Sequence, residues 1–440
     1  MEEYAKRRAT LASQLQNNSV VLLNSSQLVI RNGDAEFPFR QSSDFYYLTG
    51  FNEPEAIMVL STDAQGKLSY VLFNRPHDSD AEIWNGKRAG QEGACTEFGA
   101  NAAHDIAKID SVMPELLADK HRIYYPLGEN AEFDRKVLAW LQDAKKNLWS
   151  RKRNEQTVKF VPDALIDLLP LLHEMRLFKT DQEIDNMRKA AAISAAGHAQ
   201  LMQQCRAGQF EYQLEAIFNA NCLQNGCRGL AYNSIVAGGN NSCTLHYTEN
   251  DQLLKDGELV LVDAGGEYNN YAADITRTFP VNGKFTAEQR QIYELVLNAQ
   301  LAGIAQVKPG NLWDSVQNTM VQIIVKGLIE LGILKGDVNK LIKEQAHRRF
   351  YMHGSGHWLG MDVHDVGQYK QNGDWRVFEP GMVLTVEPGI YIAKNSKDVA
   401  AKWWGIGVRI EDDVLVCKQG NEVLSQAAPK TIAEIESARI

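Results

Sequence analysis

Two stretches of the chain, more than a hundred residues apart, repeat one another, and each ends an apolar run on an acid. The first is Gly257-Glu-Leu-Val-Leu-Val-Asp263-Ala-Gly265 and the second is Gly381-Met-Val-Leu-Thr-Val-Glu387-Pro-Gly389. A glycine leading into five mostly β-branched or aliphatic residues reads as a buried strand. A carboxylate at the buried end of a strand is costly without a cation against it, so two acids in matching positions call for a shared counter-charge. A metal is the simplest one.

Each strand is followed by a second acid. After Asp263 come the turn-forming residues Gly265 to Asn270 and then the strand-like run Tyr271-Ala-Ala-Asp274-Ile-Thr-Arg-Thr-Phe279. A hairpin turning near Tyr268 and Asn269 is expected to set Asp263 and Asp274 opposite each other. In the second half, Glu387 is followed by Gly389, Tyr391, a polar insertion from Lys394 to Lys402, and Gly407-Val-Arg409-Ile-Glu411. Glu411 is the counterpart of Asp274. Two related hairpins packed about a pseudo-twofold axis would bring the four carboxylates to one point.

Between the halves lies His353-Gly-Ser-Gly-His357-Trp-Leu-Gly360-Met-Asp-Val-His364-Asp365. Glycines this dense predict strand and turn, and the helical His-Glu-x-x-His zinc pattern is absent. One imidazole with four carboxylates is an oxygen-rich, hard donor set that suits paired manganese, cobalt or zinc ions and argues against copper or an iron-sulfur centre. A pair of ions about 3.5–4 Å apart activates water and polarises a carbonyl, so the chemistry implied is hydrolysis.

The ordered set Asp263, Asp274, His357, Glu387 and Glu411 resembles the metal-binding set of the pita-bread metallopeptidases, and the segment from His353 to Asp365 is similar to the proline-peptidase signature of that superfamily. The run Phe39-Arg40-Gln-Ser-Ser-Asp44-Phe-Tyr-Tyr-Leu-Thr-Gly50-Phe-Asn-Glu-Pro-Glu-Ala56 resembles the amino-terminal motif of the aminopeptidase P family, of bacterial type. The resemblance implies an α/β protein: a mixed-sheet amino-terminal domain, residues 1–172, and a pita-bread catalytic domain of two pseudo-twofold halves, residues 173–440. It implies release of the N-terminal residue from peptides with proline second, with two divalent ions, manganese first and cobalt or zinc as alternatives. Glu387 is expected both to hold metal and to move the proton. Histidines matching His246, His353 and His364 line the substrate side in such proteins, and neutral imidazoles there can donate to a developing oxyanion. Arg409, two residues before Glu411, should face the site with it, either to orient a carboxylate or to hold substrate; a plain salt bridge is the competing reading. Tyr391 is expected at the substrate wall. Trp84 matches a tryptophan that can close the site of a neighbouring subunit, with burial in its own domain as the alternative. The resemblance further implies a homodimer or homotetramer.

Taken singly, Asp263 and Asp274 are also ordinary turn acids, since glycine and asparagine surround them. Joined to the other three groups they are not. Asp412 and Asp413 are expected to face solvent or to sit behind the ligands, because strand alternation aims only one side of that trio inward. Ser355 stands where relatives often carry a larger apolar residue. A connector arginine of relatives corresponds to Arg151 or Arg153, with the choice open.

Bulk properties narrow the field. At 440 residues with a net charge of −9, the chain suits two domains and offers no cationic surface for nucleic acid. No apolar span of membrane length and no signal-peptide pattern appear, so a cytoplasmic enzyme without membrane contact is expected. The six cysteines show no paired spacing, and Cys243, near His246, reads as a small buried hydrophobe instead of a nucleophile. Ala237-Gly-Gly-Asn-Asn241 lacks the Gly-Lys-Ser/Thr ending of a phosphate cradle and reads as a turn. Prolidase, which takes Xaa-Pro dipeptides, is the nearest competing activity, and the Phe39–Ala56 motif disfavours it. Methionine aminopeptidase needs no such amino-terminal partner. A metal-free hydrolase or a binding module on the same fold would lack ligands that are all present here.

Overall fold

The computed structural model describes residues 1–149 and 158–438. Arg151 and Arg153 lie outside the described residues. The chain divides into two compact units, Met1–Met175 and Arg176–Ile440.

The first unit is built on strands β1 (Ser19–Asn24), β2 (Ile57–Thr62), β3 (Leu68–Asn74), β4 (Ala102–Asp105), β5 (Arg122–Tyr125) and β6 (Ala164–Asp167). Among the described residues they form one mixed sheet in the order β4-β3-β2-β1-β5-β6. The pairs β1–β2 and β2–β3 are antiparallel, whereas β1–β5, β3–β4 and β5–β6 are parallel. Val20, Leu22, Val59 and Phe73 pack with Phe133, Val137 and Trp140 of the helix Ala131–Trp149, while the alternate residues Val21, Leu23, Met58, Leu60 and Leu72 are buried as well. Burial on both faces explains why these strands read as unbroken apolar runs.

In the second unit, helices α1 (Asp181–Gln204) and α2 (Glu211–Gln224) pack together, as do α3 (Ala287–Ile304) and α4 (Trp313–Glu330). Local chemistry sets where two of them start. Thr180 with Glu183, and Thr286 with Gln289, form capping boxes that satisfy free amides of the first turns. Each helix pair precedes a strand set, so the order of elements is duplicated in the two halves.

In the first set, β7 (Ile235–Gly238), β8 (Leu259–Asp263) and β11 (Thr276–Pro280) form a sheet, and β9 (Gly266–Tyr268) pairs with β10 (Tyr271–Ala272) across a turn at Asn269 and Asn270. Both asparagines have positive φ, the conformation that a tight two-residue hairpin needs. In the second set, β12 (Val383–Val386) pairs with β15 (Asp412–Val416), and β13 (Gly389–Ile392) pairs with β14 (Ile406–Arg409). All five residues of β8 are buried. Burying a side chain such as Val262 contributes about 1.5–3 kcal/mol, which anchors the strand that ends on Asp263.

The two sets are stitched side by side. The amide of Glu411 donates to the carbonyl of Thr276 at 3.1 Å, and the hydroxyl of Thr278 donates to the carbonyl of Arg409 at 3.0 Å. The histidine segment runs along β12: the amide of Leu359 donates to the carbonyl of Val383, that of Thr385 to His357, and that of Glu387 to Ser355. Its extended path, with turns, is the one its glycines predict. A Cβ on Gly356 would lie 1.9 Å from the carbonyl oxygen of Thr385, so only glycine permits this approach.

Candidate dinuclear metal centre

The five groups singled out in the sequence line one cavity of about 370 Å3, with His246, His353, His364 and Arg409 on the same wall. β8 delivers Asp263 at its last residue, and the β10–β11 junction delivers Asp274. Glu387 and Glu411 follow β12 and β14. The pairs Val386 with Asp412 and Gly389 with Arg409 bracket these two acids, so they face one another across the strands.

The first half differs from the sequence expectation in register. Asp263 pairs with Thr276, not with Asp274. Asp274 lies two residues from that position, which keeps it on the same face because side chains alternate with period two. Thr276 takes the directly opposite place and donates from Oγ1 to Glu411 Oε2 at 2.6 Å.

Asp274, His357 and Glu411 each offer a donor atom within 4.8 Å of the others. His357 Nε2 stands 3.2 Å from Asp274 Oδ2 and 3.9 Å from Glu387 Oε1. Its Nδ1 donates to its neighbour's carbonyl, Trp358 O, at 3.0 Å. That bond fixes the ring and turns Nε2 toward the acids, as a metal-ligating imidazole requires.

Tyr232, which sequence reasoning missed, sets its hydroxyl 2.6 Å from both Asp263 Oδ1 and Asp274 Oδ1. A lone tyrosine outside any periodic pattern carries no signal of this placement. Arg409 donates to Asp263 Oδ2 at 2.6 Å, to Thr276 Oγ1 at 3.1 Å and to the Tyr391 hydroxyl at 3.1 Å. It therefore faces the acids together with Glu411.

The charge balance shows what the cluster lacks. Burial raises Asp263 and Glu411 above the ordinary carboxylate range, and it raises Glu387 to about 7, with Arg409 and, for Glu387, also His357 acting against the shift. Asp274 is lowered: against its burial, the hydrogen bond and charge of His357 prevail. His357 in turn is desolvated, yet Asp274 and Glu387 hold it up at about 9. Three buried carboxylates and the half-buried Glu387 thus confront one guanidinium and one imidazolium that fills a cation's place. Divalent ions fit this donor set, and nitrogen plus carboxylate oxygen suits a hard or borderline metal.

The remaining histidines divide. His246 and His364 are exposed at the cavity wall, and the His364 ring meets His357 edge-on with centroids 4.2 Å apart. His353 is buried enough to be driven down to about 3, assisted by the charge of Arg409, so it is neutral. Its Nδ1 donates to the carbonyl of Gly354 at 2.9 Å, which leaves Nε2 to accept from the Tyr391 hydroxyl at 2.8 Å. Tyr391 is 3 % exposed and is not among the cavity-lining residues. It lies behind the wall expected of it, because Arg409 and His353 engage its hydroxyl.

Alternatives left open by the sequence close. Asp412 and Asp413 do not face solvent and take the other placement expected of them, behind the ligands: both are fully buried. Asp413 accepts from the amide of Asp274 at 3.1 Å, and Asp412 pairs with Arg277 at 2.7 Å and Lys430 at 2.6 Å. Trp84, on a short helix Ser79–Asn85, is 85 % exposed, which excludes burial in its own unit. Cys243 carries a thiol that burial pushes up to about 11, so it is no thiolate at neutral pH. No helix among the described residues is long and apolar enough to cross a membrane.

The chain is similar to known proteins along its whole length. Residues 185–418 match the family model described as metallopeptidase family M24, and residues 4–124 match that of the aminopeptidase P N-terminal domain. The chain is 46 % identical to the Xaa-Pro aminopeptidase of Escherichia coli over 100 % of its own length and 98 % of the relative's. It is 47 % identical to the Xaa-Pro aminopeptidase of Haemophilus influenzae, covering 99 % of this chain and 96 % of that one. The structure of Pseudomonas aeruginosa aminopeptidase PepP, 49 % identical, superimposes with a TM-score of 0.95 over 99 % of this chain and 97 % of the other. The mixed α/β unit followed by a pita-bread unit, expected from the sequence, is the architecture of these structures. A match over more than half of the chain, with full-length relatives at this identity, makes the chain a member of metallopeptidase family M24.

Proposed function

We propose that this protein is a dinuclear metal-dependent Xaa-Pro aminopeptidase that releases the N-terminal residue from peptides with proline in second position. One observation carries the reading: Asp263, Asp274, His357, Glu387 and Glu411 converge in one cavity with more buried negative charge than its own cations balance. The full-length similarity to proteins named Xaa-Pro aminopeptidase supports the substrate class.

These five residues would hold two divalent ions, with manganese preferred and cobalt or zinc as substitutes. Bound ions supply electrophilic polarisation of the scissile carbonyl and lower the pKa of water. The chain's own groups do the rest. Glu387 takes the proton of the attacking water on its carboxylate and delivers it to the departing proline nitrogen. That nitrogen has no hydrogen before cleavage, so a proton must be brought to it. His246 and His364, exposed in the cavity, donate to the oxygen on which charge develops. His353, already bonded at both nitrogens, shapes the wall next to Glu387, whose Oε2 lies 3.6 Å from its Nδ1. Arg409 and Tyr391 hold Asp263 and His353 in place.

Residues 173–440 form the proposed catalytic domain and residues 1–172 the amino-terminal domain. A homodimer or homotetramer in the cytoplasm, with the exposed Trp84 covering the cavity of a neighbouring copy, completes the proposal. The test is a proline-peptide series assayed after chelation and after readdition of manganese, cobalt or zinc. Restored cleavage of Xaa-Pro-Yaa-Zaa peptides supports the reading. Cleavage confined to Xaa-Pro dipeptides would identify a prolidase, and absence of both stoichiometric metal and activity would reject the enzyme.

A further inference from the structure

A second cavity, of about 580 Å3, shares His353 and Gly354 with the acid-rich one. Its size is that of a ligand pocket. Its chemistry is the reverse of its neighbour's. None of its described lining residues is an aspartate or glutamate; it carries the amides of Gln317, Asn318, Gln322 and Gln345 together with His347 and Arg348. Arg348 is exposed, its guanidinium makes a weak hydrogen bond to Gln345 Oε1 at 3.5 Å, and no carboxylate among the described residues pairs with it. His347 is 8 % exposed, and its Nδ1 has no hydrogen-bond partner among the described residues. The shared wall is held from behind: the fully buried Tyr351 sets its hydroxyl 3.1 Å from Gln317 Oε1 and 3.3 Å from the carbonyl of Gly354.

We propose that this second cavity receives the part of a peptide substrate downstream of the proline, and that Arg348 binds a carboxylate there. The inference rests on the peptidase reading above. The N-terminal ammonium belongs with the carboxylates of the first cavity, so the chain leaving it past His353 and Gly354 enters a space without acids. Side-chain amides there match both the donors and the acceptors of a peptide backbone. A guanidinium without a carboxylate partner matches one from the substrate, either the C-terminus of a short peptide or an acidic side chain in a longer one. Each added residue extends the chain by at most ~3.3–3.6 Å, so the benefit of a free carboxylate should begin at a threshold length.

The experiment uses the manganese-loaded enzyme and Ala-Pro peptides extended stepwise by alanine, each as the free acid and as the C-terminal amide. Beyond the threshold the free acid should show a KM lower by about 3–10-fold than its amide, with kcat changed less than about twofold. Arg348→Gln, a surface substitution, should erase that difference. Asn318→Trp, which fills the mouth of the cavity from an exposed position, should raise KM for the long peptides only. An amidated series carrying one internal glutamate separates the two sources: a regained low KM that depends on Arg348 identifies the side chain as the ligand. Equal KM for acid and amide at every length, or a difference that survives Arg348→Gln, would overturn the proposal while leaving the peptidase reading intact. Failure of the wild-type enzyme to cleave even Ala-Pro-Ala would remove that reading and this site with it.

Discussion

Arg277 and Asp412 form an ion pair 2.7 Å long in which both side chains are completely buried. Each stands next in sequence to a residue of the candidate centre, Arg277 after Thr276 and Asp412 after Glu411. The pair is part of a network: Arg277 also donates to the carbonyl of Glu411 at 2.6 Å, and Asp412 accepts from Gln300 and Lys430, each at 2.6 Å. Despite burial, the charges of Arg277 and Lys430 hold Asp412 down at about 2. The backbone that presents Glu411 is thus clamped from the side opposite the cavity.

Asp412→Asn should therefore destabilise the protein strongly, since it leaves the buried guanidinium without its counter-charge. The expected loss is about 3–5 kcal/mol in denaturant unfolding. A change below about 0.5 kcal/mol would mean that the carbonyls around Arg277 suffice.

Tyr232→Phe removes a hydroxyl that lies between Asp263 and Asp274. Without metal, the two acids lose a shared donor, and stability should fall by about 1–3 kcal/mol. Divalent ions bind the folded state and supply the missing positive charge, so the deficit should shrink when manganese is added. Melting curves in chelator and in manganese read both values; an equal deficit in the two would contradict the assignment.

Glu387→Gln keeps the shape of the side chain and removes its capacity to accept a proton. Turnover of a proline tripeptide should fall by at least about 100-fold in protein that still carries its metal. Near-wild-type rates at full metal content would exclude Glu387 as the proton carrier.

Tyr391→Phe breaks the line from Arg409 through the tyrosine hydroxyl to His353 Nε2. Activity should drop by about 10-fold or more, because the imidazole and the guanidinium lose their common restraint. Unchanged kcat and KM would show that the packing of the ring, and not its hydroxyl, is what matters.

His198 offers a pH test directly behind the ligands, against the backbone that follows Asp263. It is fully buried, it donates from Nε2 to the carbonyl of Ala264 at 3.0 Å, and burial lowers it from 6.5 to about 4, aided by the charge of Arg277 and opposed by that hydrogen bond. Between those two values the unfolded chain binds the proton and the folded one does not, so stability is full above about 6.5 and declines as pH falls toward 4. The decline attributable to this residue is roughly 3 kcal/mol. His198→Gln should flatten the stability–pH curve over that interval relative to wild type; an unchanged slope would assign the decline to other groups.

Much of this protein is written locally. The apolar runs ending on Asp263 and Glu387 mark buried strands because an alternating or helical pattern would have distributed polar residues along them. The glycines around His357 mark an extended segment because a side chain at Gly356 cannot pass the carbonyl of Thr385. Thr180 and Thr286 mark helix starts through their own capping bonds. Tyr232, the hydroxyl contacts of Tyr391 and the buried pair of Arg277 with Asp412 were not legible, since each acts through a partner far away along the chain.

Sequence alone determined which acids are candidates, because strand periodicity and the repeated spacing are properties of neighbouring residues, and the family resemblance picked His357 from the three histidines between the halves. Tertiary structure decided the register that puts Thr276, and not Asp274, opposite Asp263. It also decided which charges are buried, how the Tyr391 hydroxyl is shared, and that an acid-free cavity adjoins the acidic one. The physical reason is that desolvation and ion pairing depend on distances between chain-remote atoms, which no local pattern encodes.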